Sequence, residues 1–298
     1  MSDSRPAQHH TYIGRLIVSL VLLAAAGWLL LNRQAVLDHI NAWAYQPSAQ
    51  IQQIVKADTM TDQAKFYFYA SRPEIDDRTD FNQACSSVGS EQTAVLGCYA
   101  GQKIYIFNVT SDQLDGIKQV TAAHEMLHAA YDRLSQSERQ RVDKLVEAEA
   151  KNNHDPTVAD LIKVYAKTEP GERLNELHSI FGSQVADLSP KLEQYYQRYF
   201  SDRGQVVELY QQYHSVFERI KAQQDQLVAD LDRLAGEIKS LEADYNSAVA
   251  QLNRDIAAFN ARASSGQMSR SEYNSQRATL KQRQASLKGQ ASLINQKI

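Results

Sequence analysis

Two imidazoles four residues apart, with a carboxylate beside the first, occur at His124-Glu125-Met126-Leu127-His128. On an α-helix residues i and i+4 share a face, so His124 and His128 can reach a single metal ion. Glu125 lies about 100° further round, where its carboxylate can take a proton from a water activated by that ion. A Zn2+ ion lowers the pKa of such a water to about 7 and polarises a carbonyl, so the chemistry to expect is hydrolysis of an amide. The pattern also arises by chance, and its setting is what gives it weight. Thr121-Ala122-Ala123 precede it, Ala129-Ala130 follow it, and no Pro or Gly interrupts the helix. Val120, Leu127, Tyr131 and Leu134 give that helix an apolar face. Two histidines and a glutamate in so uncharged a helix are costly to bury without partners, and a metal supplies them.

A catalytic zinc site takes three protein ligands and keeps one position open, so a third ligand is expected downstream. Glu172 to Gly182 reads as a short helix with Leu174, Leu177, Ile180 and Phe181 on its apolar face and Glu176 and His178 embedded in it. With HEMLH, the Asn175-Glu176-Leu177 segment and the hairpin before them, the stretch from roughly Lys65 to Val185 resembles the gluzincin class of zinc peptidases. In that class HExxH on one helix is completed by a Glu on a following helix. The resemblance implies Glu176 as third ligand, with Glu172, one turn earlier, and His178 as rivals. It implies Glu125 as general base and then proton donor to the leaving amine. His178, Tyr131, Tyr165 and His154 are candidates for stabilising the developing oxyanion. Lys103 to Val109 would resemble the zincin edge strand that pairs with an extended peptide. HEMLHAAYDRL lacks the Gly and third His of the metzincin pattern.

The chain has 298 residues and a formal net charge of −3, too balanced for a nucleic-acid binder. Leu16 to Leu31 is an uncharged apolar run, extended upstream by Ile13 and Gly14 across Arg15. It is long enough to span a bilayer, if barely, and longer than the core of a cleaved signal peptide. No small-residue cleavage site follows it, so an uncleaved signal anchor is expected over a cleaved signal or a buried helix. Arg5 and Arg15 precede the run while Arg33 follows it, which favours a cytoplasmic N-terminus and an external body. Cys85 and Cys98 flank CSSVGSEQTAVLGC, and a pair of cysteines in an external domain suggests a disulfide, the alternative being two buried thiols.

The elements that must position the site follow from pattern. Ala35 to about Ala57 reads as helix kinked at Pro47, and Lys65 to Ala70, rich in aromatics, as a strand. Thr93 to Tyr99 and Lys103 to Val109 read as a hairpin about Ala100-Gly101-Gln102. Ser135 with Glu138 forms a capping box for a helix through about Ala150. Asp160 to Thr168 and Gly171 to Phe181 read as two more helices, the second capped by Gly182, and Ser189-Pro190 opens another. From Val206 a seam runs through Tyr210, Tyr213, Phe217, Ile220, Leu227, Leu231, Leu234, Ile238, Leu241 and Tyr245, alternating steps of three and four. It stutters into Val249, Leu252, Ile256 and Phe259, breaks at Ser264-Ser265-Gly266, and resumes at Tyr273, Leu280, Leu287 and Ile294. The return helix is basic and the long helix rich in acids, which favours a hairpin of the two.

The expected architecture is therefore α+β: a tail at 1–12, a transmembrane signal anchor at 13–33, a zincin-like domain at 34–204 built of a short antiparallel sheet plus helices, and a coiled-coil hairpin at 205–298. The resemblance implies a zinc metallopeptidase acting on a peptide or protein substrate, and the signal anchor, flanking charges and cysteine pair add a membrane-anchored, extracytoplasmic location. The coiled coil adds the expectation of a helical partner or a homo-oligomer. The alternative is an envelope scaffold or adaptor that works through its coiled coil and carries a structural or degenerate metal site.

Overall fold

The computed structural model describes residues 8–86, 96–153 and 171–297. The chain divides into two units, 1–217 and 218–298. It is mostly helical with a small three-stranded sheet.

In the first unit the helix bearing HEMLH, α6 (Ile117–Asp132), runs through the middle of the core. Ala122, Ala123, Met126, Leu127, Ala129 and Ala130 are fully buried in it. The small residues let neighbours approach from every side. Before α6 come α1 (Gln8–Leu31), α2 (Arg33–Ala44), α3 (Ala49–Ala57), α4 (Asp62–Ala70) and α5 (Arg78–Ala84). After it come α7 (Gln136–Asn152), α8 (Arg173–Ser183), α9 (Pro190–Tyr196) and α10 (Arg203–Ser264). The expected capping box is present at the start of α7, where the Ser135 side chain and Glu138 exchange hydrogen bonds with each other's backbone amides.

Lys65 to Ala70, expected as a strand, is the body of helix α4. Thr61 caps it by accepting from the Ala64 amide, and Ala64 and Phe68, one turn apart, are fully buried. The aromatic residues that suggest a strand here serve a helical face, a case of tertiary packing overriding propensity. The kink expected at Pro47 is a full break between α2 and α3, with Ser48 capping α3. Gly182 does not end α8 but lies inside it: a side chain there would collide with Leu127 on α6 and Tyr196 on α9. Asp160–Thr168 and the first residues of the expected strand at Thr93, with His154 and Tyr165, lie outside the described residues.

The sheet is mixed rather than antiparallel, in the order β1 (Glu74–Asp76), β3 (Lys103–Phe107), β2 (Gly97–Ala100), with β1 parallel and β2 antiparallel to β3. β2 and β3 form the expected hairpin about Gly101-Gln102. Gly97 pairs with Ile106 and Tyr99 with Ile104, on the face that packs against α6; Ile104 and Ile106 are fully buried there. The opposite face carries Cys98, Tyr105 and Phe107, which pack with Phe81 and Cys85 in a small second cluster. Cys85 and Cys98 form the expected disulfide. Lys103–Phe107, expected at the edge, is the central strand, because β1 occupies its other side. Among the described residues the edge beside α6 is β2.

Val206, the start of the heptad seam, is buried in the first unit's core, which Leu209, Tyr210 and Tyr213 extend, and Val207 beside it is buried too. The second unit is an antiparallel pair made by the rest of α10 and α11 (Arg270–Lys297). Phe259 meets Tyr273, Arg283 pairs with Asp255, and Lys297 with Glu237. These cross-pairs realise the charge complementarity of the two helices. Among the described residues no single helix is long and apolar enough to cross a membrane. Arg15–Leu31 and Arg33–Ala44 pass that test only together, as a pair bent by 75°.

Candidate metal centre

The centre is assembled from α6 and α8. His124 and His128 project from one face of α6, and α8 crosses close enough, through the bare Gly182, to bring Glu176 against them. His128 Nε2 stands 3.0 Å from His124 Nε2, 3.5 Å from Glu176 Oε1, and His124 Nε2 stands 3.7 Å from Glu176 Oε2. Two ligands each about 2.0–2.1 Å from a tetrahedral ion lie about 3.3 Å apart, so these spacings are close to the edges of such a site. Glu176 Oε2 is buried and has no hydrogen-bond partner, and 3.7 Å to the nearest imidazole nitrogen is too far for one. An orphaned carboxylate oxygen facing two imidazole nitrogens fits a bound cation. The cluster could hold a metal ion.

Burial pushes the Glu176 carboxyl up, but the adjacent His128 and His124 outweigh it and hold it below the usual carboxylate range. Burial pushes the His128 imidazole down despite the nearby Glu176 charge. An ionised carboxylate and a neutral imidazole are the forms that ligate metals.

The surrounding residues settle how the His128 ring is turned. His128 Nδ1 lies 3.0 Å from Asn175 Oδ1, which can only accept, so Nδ1 carries the proton and Nε2 offers its lone pair to the cluster. Asn175 in turn donates to Glu172 Oε2 at 3.2 Å. Glu172, a rival third ligand in the sequence, thus supports the residue that orients His128. The other rival, His178, is fully buried and turned to the Tyr195 hydroxyl, 3.0 Å away. Burial, with the charges of His128 and His124, pushes its pKa down to about 3. Tyr131 donates its hydroxyl to Asp143 at 2.6 Å. Neither oxyanion candidate among the described residues therefore belongs to the ligand cluster, and both have engaged polar atoms. His178 Nδ1 stays buried without a partner, and a ring of Tyr131, Tyr195 and Tyr196 packs around it.

Glu125 is 6 % exposed and packs under the edge strand. A Cβ on Gly97 would stand 2.8 Å from Glu125 Oε1 and 2.9 Å from Glu125 Cγ, and would collide with Thr121. Only glycine lets the strand lie this close to the carboxylate. Sequence reasoning passed over Gly97, although a glycine inside a strand pattern is itself a signal of close backbone approach. The hydrogen bonds of the strand also have a direction. Phe107 N donates to Leu96 O, whereas Ile104 N donates to Ser71 O on the far side of β3. By the alternation of an antiparallel pair, Cys98 and Ala100 bond to β3 while the backbone groups of Gly97 and Tyr99 turn away from it. The outward-turned groups of Gly97 are beside Glu125.

Comparison with known protein families, with curated proteins and with solved structures finds no match to this chain. The geometry of the centre is what bears on its chemistry.

Proposed function

We propose that the chain is a zinc-dependent peptidase, similar to the gluzincins in its ligand set, anchored in a membrane by α1 with its catalytic unit outside the cytoplasm. The observation that carries this reading is the convergence of His124, His128 and Glu176 on one point, with Glu125, the residue after His124, held under an edge strand. Two imidazoles and a carboxylate suit Zn2+, which when bound polarises a carbonyl and lowers the pKa of a water. His124, His128 and Glu176 hold the ion, and Asn175 keeps the His128 ring in the ligating tautomer. An extended peptide pairs with the outward-turned backbone groups of Gly97 and Tyr99, which brings its carbonyls past Glu125. Glu125 takes a proton from the attacking water as the C–O bond forms and delivers it to the amine nitrogen as the C–N bond breaks. The Cys85–Cys98 disulfide supports an oxidising, extracytoplasmic setting.

A scaffold or adaptor is a second reading, favoured by one observation: Ile220, Leu227, Leu231 and Leu234 leave an apolar seam exposed on α10. A structural metal site has no use for a carboxylate beside its first ligand, which favours the enzyme.

The test is Glu125→Gln in the full chain, with bound zinc and cleavage of an unstructured protein measured together. Zinc should stay bound at one per chain while cleavage falls by at least about 100-fold, the scale of general acid–base catalysis. Unchanged cleavage would overturn the mechanism. Substoichiometric zinc, indifferent to His124→Ala, would overturn the metal centre.

A further inference from the structure

Helix α2 begins directly after the apolar α1, at a 75° bend. One face of α2 is bolted to the catalytic unit. Asp38 receives a bidentate pair of hydrogen bonds from Arg133, at 2.9 Å from Nε and 2.7 Å from Nη2, and both side chains are buried. Arg133 is the residue that ends α6, and it also donates to the Tyr99 hydroxyl on the edge strand. Gln34, one turn before Asp38, donates to the same carboxylate.

The opposite face is apolar beyond Arg33 in its first turn. At 100° per residue, Val36, Ile40 and Trp43 all lie within about 40° of the direction opposite Asp38. Ile40 is 54 % exposed and Trp43 is 90 % exposed. Leu30 and Leu31 at the end of α1 are exposed too, and only Asn32 separates that helix from α2. With α1 along a bilayer normal, a 75° bend leaves α2 only about 15° from the membrane plane, less than the usual scatter of helix tilt. The folded unit is attached through the Asp38 face and lies outside the bilayer in this reading, so the opposite face, with Ile40 and Trp43, is the one left to meet lipid. A Trp at the boundary, an apolar stripe and a flanking Arg33 are the composition of a helix that lies in a membrane interface.

We infer that α2 lies in the bilayer interface, with Val36, Ile40 and Trp43 set into the boundary between headgroups and acyl chains. The occupant of this face is lipid, because α2 follows the exposed apolar surface of α1 after a single residue and meets the composition of a membrane segment together with it. The inference rests on the reading of α1 as a membrane anchor and extends the membrane contact to the next helix. Through the Asp38–Arg133 pair α2 acts as a strut. It fixes the height above the membrane of the metal cluster, whose two α6 residues, His128 and His124, lie about 8 and about 14 Å along the helix from Arg133 at 1.5 Å per residue.

The chain has two tryptophans, Trp28 in α1 and Trp43 in α2, so each can be read alone. The full-length protein is reconstituted in phosphatidylcholine–phosphatidylglycerol vesicles carrying a nitroxide on the upper acyl chain. The Trp28→Phe variant reports Trp43, and Trp43→Phe reports Trp28. Trp43 is expected to lose most of its emission to the nitroxide lipid and to regain it in Ile40→Glu, a change at an exposed position. Quenching of Trp28 without quenching of Trp43 overturns the strut and leaves the anchor standing. Quenching of neither overturns the anchor reading and the strut with it. A Trp43 shielded both from the nitroxide lipid and from aqueous iodide is covered by protein, a second copy included, and that result also overturns the inference.

Discussion

Asn175 accepts the Nδ1 proton of His128 at 3.0 Å, and this bond decides which nitrogen of the ring faces His124 and Glu176. The residue next to Glu176 on α8 thereby sets the tautomer of His128 on α6. The two helices are joined at the centre by this bond as well as by any ion they share.

Asn175→Ala removes the acceptor and leaves the ring free to take the other tautomer. Zinc affinity should fall about 10–100-fold, the usual effect of losing such an outer partner. Competition with a chromophoric chelator measures it. Asn175→Asp keeps an acceptor at the same place and should retain affinity close to that of the parent protein. If Asn175→Ala binds zinc as tightly as the parent, the bond does not orient the ligand.

Gly97→Ala tests the approach of the edge strand. The added methyl meets Glu125 and Thr121, both on the rigid helix α6, so the strand must move away. Overpacking of this kind costs about 1–3 kcal/mol. Peptide cleavage should be lost while zinc remains bound, since the residues the added methyl meets first, Thr121 and Glu125, are outside the cluster of His124, His128 and Glu176. Full activity in Gly97→Ala would mean that the position of β2 is not used.

The sequence shows His124, Glu125 and His128 because helical spacing is a local property, whereas Glu176 is reached only through the resemblance to the gluzincins. The capping box at Ser135, the hairpin at Gly101-Gln102 and the cysteine pair are legible for the same reason. What a local pattern does not carry is which neighbour a residue faces. Glu172 and His178 are as acceptable on paper as Glu176. Only the crossing of α8 over α6 turns one toward Asn175 and the other into a ring of tyrosines. The aromatic run Phe66 to Tyr69 has a strand's composition, but Thr61 caps it as a helix and the core receives Phe68. The central place of β3 depends on β1, three residues that pair in parallel across a long connection.

The Asp38–Arg133 pair is buried, with side-chain exposures of 5 % and 4 %, and it joins α2 to the end of α6. Asp38→Leu leaves the guanidinium without its carboxylate and should cost about 3–5 kcal/mol of unfolding free energy. Replacing both residues, as Asp38→Leu with Arg133→Met, should cost less than the sum of the single changes, because no charge is then stranded. Urea titration of the three variants measures the coupling. Strict additivity would show that the two residues do not act as a pair.

Asp58 is fully buried, and neither carboxylate oxygen has a hydrogen-bond partner. Burial raises its pKa well above the usual carboxylate value. The folded protein therefore holds this proton at pH values where the unfolded chain, at about 3.9, has already released it. Stability from this group is full below that value and is lost as pH rises toward the folded pKa, with a slope of up to about 1.4 kcal/mol per pH unit. Asp58→Asn removes the ionisation, so the variant should gain on the parent steadily as pH is raised from about 4 and level off above the folded pKa. Urea titrations of both proteins at matched pH, each with the metal centre in the same state, isolate the difference, since the other titrating groups cancel. A stability difference that stays constant with pH would mean that Asp58 ionises in the folded protein as freely as in the unfolded chain.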